Sequence, residues 1–340
     1  MTPRKQVRLV MALHMPSQIT PTLFAKVAGL PPIPGAVDVD NFFKGRVGTN
    51  CIKWFNNNLA DRGPWSGVKL VDTPENDVRF HQFWNQSDPI FGGDMTPMQF
   101  ICLMSIFANE VRGDFKPHTE RMGVAGHPGM AYLFDKIPER KKRSYNTLEG
   151  NKTALACFND PNYVAAHDGL PLASGLRRTG DARWAGEVWP SGFPTDPVAS
   201  VSGFIGQADF MKFRGRGFIQ TTGRANYLPL IEFVRGYDGD NSTLDFYQHK
   251  WGGKTPDEIA FITTNEDWDR LFLETDLIIA AEAVRVHSAK SGNYLRLGTG
   301  ADVLDGKGPG SVFFMGLRIS GGSTYADTFK DRVVAVLTAL

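Results

Sequence analysis

The stretch Phe213-Arg-Gly-Arg-Gly-Phe-Ile-Gln-Thr-Thr-Gly-Arg-Ala-Asn-Tyr227 is the most unusual in the chain and says most about its fold. Its three glycines permit close approach of the backbone to a neighbour, because glycine has no side chain and adopts turn conformations freely. Gln220, Thr222 and Asn226 follow, and their uncharged donors and acceptors can converge. The pattern predicts either a site for a neutral polyhydroxylated ligand or a fixed water, or a loop whose polar side chains cap the following helix.

A buried helix with a glutamate at its end lies upstream of this stretch. Thr96-Pro97-Met98-Gln99 predicts a helix start, with a capping threonine, a proline in the first turn and a glutamine at the third helical position. From Phe100 to Ala108 almost every residue is apolar, which predicts a helix buried around most of its circumference. The helix leads into Asn109-Glu110, and Gly113 and Pro117 then break it.

Glu110 is the first candidate for chemistry. A carboxylate at the edge of an apolar wall suits a general acid, because partial burial favours the protonated form. On an uninterrupted helix Glu120 would lie about 15 Å away, beyond the roughly 6.5–9.5 Å between the carboxyl groups of an inverting glycosidase. The break in the helix lets the chain fold back and bring Glu120 across a cleft. Alone, two glutamates at this spacing are more commonly solvated surface residues.

Composition excludes several classes of protein. The 340 residues carry 37 Lys+Arg against 36 Asp+Glu, a net charge of +1, which argues against a nucleic-acid groove or a surface for anionic membranes. A hydrophobic share of 42% excludes disorder as the dominant state. No apolar run approaches the roughly 20 residues of a membrane span. We therefore predict a soluble, globular protein.

Motifs for cofactors, metals and nucleophiles are missing. Cys51, Cys102 and Cys157 stand far apart and form neither a disulfide framework nor a zinc knuckle. Gly253-Lys254-Thr255 lacks the first glycine of a phosphate-binding loop, and Gly215-Arg216-Gly217 lacks the third glycine of a dinucleotide fingerprint. Neither a Gly-x-Ser-x-Gly elbow nor a His-x-x-x-His pair occurs. We expect the chemistry to come from carboxylates, without metal or cofactor.

Composition also changes near residue 95. Residues 1–95 are irregular, with short helices predicted at Pro21–Gly29 and Asn50–Asp61. They form either a separate unit or the front of one larger fold. For residues 96–340 the sequence pattern predicts a mainly helical structure.

Two further helical patterns lie in this later part of the chain. A second capping box at Thr255–Glu258 is followed by a long helical pattern over 266–288. The last helix is predicted from near Thr324 to Leu340.

Three segments, in order along residues 96–340, resemble one known family. The glycine-rich stretch is similar to the signature Tyr-x-Gly-Arg-Gly-x-Ile-Gln-Leu-Thr/Ser of glycoside hydrolase family nineteen, the chitinases and their phage-endolysin relatives. Ala108 to Glu120 resembles the family's His-Glu-Ser-Gly-Gly-Phe segment and the acidic residue after it. Arg318-Ile-Ser-Gly-Gly-Ser-Thr resembles its Ile-Asn-Gly-Gly-Thr-Asn-Gly element.

The resemblance implies a fold. We expect a mainly α, lysozyme-like (α+β) domain over residues 96–340, with helices in two lobes, a substrate cleft and little β structure. Residues 1–95 have no counterpart in the family, and their role stays open.

The resemblance also implies roles for residues. Glu110 falls on the general acid, and Glu120 on the general base when one extra residue is allowed between them, with Asp114 as the alternative base. Thr222 matches the hydroxyl that positions the attacking water. The residues that fall on substrate-binding positions are Gln220, Asn226, Tyr227 and Arg216. For Arg216 a structural role in a pair with a carboxylate is the alternative.

The chain departs from the family's pattern around the acid. Asn109 replaces the usual histidine, Arg112-Gly113-Asp114 replaces the Gly-Gly, and Thr221 replaces a leucine. These departures motivate one alternative from another class, a non-catalytic wall-binding or virion protein that retains the fold.

The function implied by the resemblance is inverting hydrolysis of β-1,4 bonds between N-acetylhexosamines. Peptidoglycan is the expected substrate, because the Gly-Arg-Ala-Asn-Tyr ending resembles the endolysin branch, and chitin is the alternative. The apolar run Leu9–Leu13 is too short for a signal peptide. We expect a protein made in the cytoplasm that acts in the periplasm or on the cell wall after phage lysis or delivery by a secretion apparatus. A delivery or immunity partner stays open; no nucleic acid and no membrane insertion are expected.

Overall fold

The computed structural model describes residues 19–111, 113–120, 213–300 and 302–340. Of these residues 61% are helical and 3% lie in strands, which confirms a mainly α chain with little β structure. Cys157, Arg112 and the amino-terminal run Leu9–Leu13 lie outside the described residues.

The α-helices in the described part of the chain are α1 (Ile19–Ala25), α2 (Ala36–Val47), α3 (Cys51–Asn58), α4 (Pro74–Trp84), α5 (Ser87–Phe91), α6 (Pro97–Glu110), α7 (Arg224–Gly236), α8 (Ser242–Lys250), α9 (Pro256–Ile262), α10 (Asn265–Leu273), α11 (Ile278–Lys290), α12 (Asp302–Asp305), α13 (Val312–Ser320) and α14 (Ser323–Ala339). A 3-10 helix spans Gly63–Trp65, and the two short strands are β1 (His118–Thr119) and β2 (Arg216–Gly217).

Local signals in the sequence place several of these helices correctly. At the start of α6 the Thr96 hydroxyl accepts a hydrogen bond from the Gln99 N–H, and the Gln99 side chain accepts one from the Thr96 N–H at 2.8 Å. The same reciprocal arrangement joins Thr255 and Glu258 at the start of α9. Both capping boxes satisfy backbone donors that a helix leaves free at its first turn. The predicted last helix is also confirmed as α14.

The continuous helix predicted over 266–288 is wrong, because the chain turns between α10 and α11. Asp276 and Leu277 have φ angles of 49° and 66°, in the left-handed region that a right-handed helix excludes. The Thr275 hydroxyl donates to the Leu271 carbonyl at 2.7 Å and so satisfies a carbonyl at the end of α10. Apolar spacing continues across the turn, which is why the pattern suggested one helix.

One hydrophobic core contains residues from both sides of position 95. Three buried rings show the connection, with Phe83 on α4, Phe107 on α6 and Phe218 just after β2. Their centroids are 4.4 Å apart for Phe83 and Phe107, 4.6 Å for Phe83 and Phe218, and 4.7 Å for Phe107 and Phe218. We call these residues the ring triangle. It fixes the glycine-rich stretch against the helix that carries Glu110.

The last helix also packs on the first part of the chain. Lys26 donates to the Leu337 carbonyl at 2.8 Å, and the Trp65 indole donates to the Arg332 carbonyl at 3.2 Å. Residues 19–95 are therefore packed with both α6 and α14.

Two smaller findings complete the fold. Cys51 and Cys102 are buried free cysteines, and burial is the main cause that raises the pKa of each thiol. Among the residues that the structure describes, no helix combines the length and the apolar character needed to cross a membrane.

Candidate active site

Glu120 lies directly beside the glycine-rich stretch. Strands β1 and β2 pair antiparallel, with Thr119 opposite Arg216. The next residue continues the pairing, since the Glu120 N–H donates to the Gly215 carbonyl at 2.7 Å. The Glu120 side chain turns back to the same residue, where Oε2 accepts from the Gly215 N–H at 3.1 Å. Two motifs 95 positions apart in sequence thus meet at one backbone unit.

Gly215 allows this approach because it has no side chain. A Cβ at this position would lie 2.7 Å from Oε1 of Gln220 and 3.2 Å from Oε2 of Glu120. The two side chains are therefore neighbours that share the space above one glycine. Gln220 has a φ angle of 51°, and its amide donates to the Gly217 and His118 carbonyls at 3.3 and 3.4 Å.

Thr222 and Asn226 complete the polar surface of the loop. The Thr222 hydroxyl donates to the Gln220 carbonyl at 2.7 Å, and the Asn226 amide donates to the Thr222 carbonyl at 2.8 Å. Both side chains are half-buried and keep acceptor oxygens that these bonds do not use. The N-cap residue of α7 is Gly223, and no side chain makes a capping hydrogen bond there. The structure therefore does not show the alternative in which these polar side chains cap the following helix.

Arg216 and Tyr227 lie beneath the loop, where no ligand can reach them. Both side chains are fully buried. Arg216 donates to the Asp269 carboxylate at 2.7 Å and to the Tyr227 hydroxyl at 3.2 Å, and that hydroxyl donates to the Arg214 carbonyl at 2.7 Å. We therefore correct the assignment of both residues to substrate binding, because they are occupied in holding the loop from below.

Asp269, on α10, shares this task, and no motif in the sequence indicated it. Asp269 accepts hydrogen bonds from Arg216 and from the Thr119 hydroxyl, at 2.7 and 2.9 Å. It therefore ties both strands to α10. Arg214 also pairs with Asp269, and burial, followed by the charge of Arg216, lowers the pKa of Arg214 to about 10, so it remains charged at neutral pH.

Glu110 belongs to a different hydrogen-bonded group, at the C-terminal end of α6. Its Oε1 accepts from the Tyr325 hydroxyl at 2.6 Å and from the Asn109 amide at 2.8 Å. Burial, and then the Glu110 carboxylate, raise the pKa of Tyr325, so this hydroxyl keeps its proton. Tyr325 lies in the predicted last helix, 215 positions from Glu110, and the sequence carries no signal for this contact.

Glu110 and Glu120 do not touch each other. The hydrogen-bond partners that the described residues give to Glu110 and to Glu120 are different residues. Their supports are in contact, however, because Phe107 lies one helical turn before Glu110 and packs on Phe218, which follows β2. The structure thus brings the two motifs together and leaves the two carboxylates apart.

Asp114 is engaged with its own loop. Its Oδ1 accepts from the His118 ring at 3.0 Å and from the Lys116 N–H at 3.0 Å. Asp114 is half-buried and both donors bind the same oxygen, whereas Glu120 is exposed and its side chain accepts from one described donor, the Gly215 N–H.

Other features of the described residues lie away from these groups. No cluster of three or more histidine, cysteine or acidic side chains is placed to hold a metal ion in the described part of the chain. A cavity of about 420 Å³ is lined by residues within 298–300 and 302–311, and no predicted site residue lines it. Comparison with known proteins returned no matching protein-family model, curated protein or solved structure for this chain.

Proposed function

We propose that this chain is an inverting glycoside hydrolase that cleaves β-1,4 bonds between N-acetylhexosamines, with a lysozyme-like arrangement of its helices. The observation that carries the proposal is the hydrogen bond of the Glu120 carboxylate to the Gly215 N–H, next to the Gln220 side chain. It joins a carboxylate to the loop in which the sequence predicts sugar- and water-binding groups. It does so beside the helix that ends in a second carboxylate.

Glu110 acts as the general acid. Its proton passes to the glycosidic oxygen as the bond to the anomeric carbon breaks, and Glu110 is left as a carboxylate. Two donors already point at Oε1, and they stabilise the negative charge that develops on Glu110.

Glu120 acts as the general base. Its exposed carboxylate accepts a proton from a water that attacks the anomeric carbon from the face opposite the leaving oxygen. Thr222 has committed its only proton to the Gln220 carbonyl, so it can orient this water only as an acceptor. A water held by Glu120 and Thr222 through both protons would have its lone pairs directed at the substrate. An inverting enzyme needs the two carboxyl groups apart, about 6.5–9.5 Å, to leave room for that water.

Peptidoglycan is the proposed substrate, with the cell wall or the periplasm as the place of action. Gln220 and Asn226 are uncharged and half-buried, which suits the hydroxyl and acetamido groups of an amino-sugar chain. We also propose that the protein is made in the cytoplasm and reaches the wall through phage lysis or a secretion apparatus.

The test is product release from purified sacculi by the full-length protein, with colloidal chitin as the parallel substrate. We expect soluble muropeptides from sacculi, and an α-anomer in the first product seen by proton NMR. Glu110→Gln should lower the rate by about 10²–10⁴-fold, the usual contribution of general acid catalysis. The control Glu232→Gln alters an exposed surface glutamate and should match the wild type.

Three other results would each contradict part of this proposal. Products from chitin alone would make the protein a chitinase. Binding to sacculi without product would indicate the non-catalytic wall-binding protein. Full activity of Glu110→Gln would show that the acid is another residue.

A further inference from the structure

The surroundings of Glu110 distinguish its two carboxylate oxygens. Oε1 lies 2.6 Å from the Tyr325 hydroxyl and 2.8 Å from the Asn109 amide nitrogen, and these two partners are themselves 2.9 Å apart. Oε2 has no hydrogen-bond partner among the described residues. The two oxygens of the proposed acid are therefore not equivalent.

Arg332 determines which end of the Asn109 amide faces Glu110. A guanidinium only donates, and here it donates to Oδ1 of Asn109. Arg332 is itself held by the Pro64 carbonyl at 2.9 Å and lies over the Trp65 ring, 5.1 Å from its centroid. With Oδ1 turned to Arg332, the amide presents its NH₂ group, also a pure donor, to Glu110.

Tyr325 is fixed as a donor by the same surroundings. Burial and the neighbouring Glu110 carboxylate disfavour loss of its proton, because an anionic tyrosine would face a second negative charge. Oε1 of Glu110 thus receives two donors. A proton placed on Oε1 would meet both of them and leave one without an acceptor.

We propose that Tyr325 and Asn109 are positioning residues that reserve Oε1 of Glu110 as an acceptor and so assign the transferable proton to Oε2. This inference rests on the proposed function, which makes Glu110 the acid. In the step itself the Oε2–H bond breaks, the proton forms the O–H bond of the leaving sugar, and the two donors stabilise the charge left on Glu110. Asn109 suits this role because it stays uncharged and its orientation is set by Arg332. The 3-10 helix at Gly63–Trp65, through Pro64 and Trp65, also gives the amino-terminal part of the chain a role at the site.

The experiment compares Tyr325→Phe with the control Tyr237→Phe in the full-length protein. The Tyr237 hydroxyl makes no hydrogen bond with a described residue and lies near the surface. For Tyr325→Phe we expect kcat on sacculi to fall about 10–100-fold with KM within twofold, since loss of one donor to a developing oxyanion costs about that much or more. The alkaline limb of its pH–rate profile should move to higher pH, because the ionised carboxylate has lost a hydrogen-bond donor. Tyr237→Phe should change none of these.

A second measurement does not depend on activity. Carbon NMR of glutamate carboxyl groups, with the Glu110 signal assigned from Glu110→Gln, follows the titration of this carboxyl directly. In Tyr325→Phe and in Asn109→Ala the Glu110 signal should titrate at higher pH than in the wild type, while circular dichroism shows an unchanged fold. Two variants that remove different donors keep the test open if one of them folds poorly.

Failure of the proposed function and failure of the proposed positioning of Glu110 would give different experimental results. A wild-type protein that releases no product from either polymer refutes the proposed function. The NMR titration alone then tests whether Tyr325 and Asn109 act as donors to Oε1 of Glu110. Unchanged titration and unchanged kcat in both variants would overturn the positioning of Glu110 even if the enzyme is active.

Discussion

Glu120 and Asp114 differ in what the fold leaves them free to do. Asp114 accepts from His118 and from the backbone of its own loop, whereas Glu120 is exposed and lies against Gly215 beside Gln220. A general base must present an oxygen to a water at the substrate site, and Glu120 does so from an exposed position beside the glycine-rich stretch, whereas Asp114 is half-buried. We predict that Glu120→Gln lowers muropeptide release by about 10²-fold or more, as expected for loss of a general base.

Asp114→Asn serves as the matched comparison for this prediction. The amide keeps an acceptor oxygen for His118 and Lys116, so we expect a rate within about tenfold of the wild type, because only the strength of a charged hydrogen bond is lost. Initial rates on sacculi at equal protein concentration measure both variants. The reverse order of the two losses would make Asp114 the base.

His287, on α11, makes the stability of the fold depend on pH. Burial, and then the charge of Lys290, lower its pKa below the ordinary value of 6.5, and its Nδ1 lies 3.0 Å from the Tyr294 hydroxyl. Well above about pH 6.5 the ring is neutral in both the folded and the unfolded chain. As the pH falls through that value the unfolded chain binds a proton that the folded chain resists, so the free energy of unfolding decreases.

We therefore predict that His287→Gln loses less stability than the wild type between pH 7.5 and pH 5. Urea unfolding at the two pH values measures the difference, and only the change with pH is compared, because the variant also loses the contact with Tyr294. His249→Gln, which alters an exposed histidine on α8, should show the wild-type dependence. An equal pH dependence in His287→Gln and the wild type would contradict the prediction.

At the scale of an element, the turn after α6 determines where Glu120 is placed. Gly113 has a φ angle of 76°, and its carbonyl accepts from the Val71 N–H at 2.9 Å and from the Asn76 amide at 3.1 Å. The turn is thus bound to the amino-terminal part of the chain. A Cβ on Gly113 would lie 2.9 Å from Cα of Leu70 and would clash with the Lys69 carbonyl.

Gly113→Ala should accordingly destabilise the protein by about 3 kcal/mol, the sum of a left-handed backbone penalty and an overpacking term. Gly48→Ala is the control, because Gly48 has almost the same φ of 75° but nothing within 4 Å of its added Cβ. It should cost only about 1–2 kcal/mol. Equal losses of unfolding free energy in the two variants would show that the contact with residues 69–70 is not tight.

Elements whose cause is local could be predicted from the sequence, and contacts between distant elements could not. The capping residues Thr96 and Thr255 act within one turn, so their helices begin where predicted. Gln220 and Glu120 were predicted as site residues from motifs, and the fold places them together. The role of Tyr325 could not be predicted, because its partner Glu110 is 215 positions away in the sequence. Arg216 and Tyr227 show the opposite error, since a motif does not state which of its residues are buried.

At the scale of the whole molecule, α6 needs partners on every side. Eleven of its fourteen residues are buried, and the part of the chain before residue 95 covers one of these sides. Phe43 and Trp84 pack on Phe100, with centroids 5.7 and 4.8 Å apart, and Phe83 packs on Phe107. The helix that carries the proposed acid is therefore enclosed by residues on both sides of position 95.

Enclosure on both sides predicts that a chain beginning at Thr96 does not fold cooperatively. Removal of residues 1–95 would expose the apolar face of α6. It would also remove Phe83 from the ring triangle, so that Phe107 and Phe218 would each lose one ring contact. Loss of one large buried aromatic side chain costs about 3–5 kcal/mol, and the free energy of unfolding of a domain is only about 5–15 kcal/mol in total. We expect no sigmoidal thermal transition by circular dichroism and strong binding of a hydrophobic dye.

In the full chain, Trp84→Ala should lower the free energy of unfolding by about 3–5 kcal/mol. Val78→Ala, at an exposed position on the same helix, should lower it by less than about 0.5 kcal/mol. A cooperative transition of the shortened chain near the wild-type midpoint would show instead that residues 96–340 fold as an independent domain.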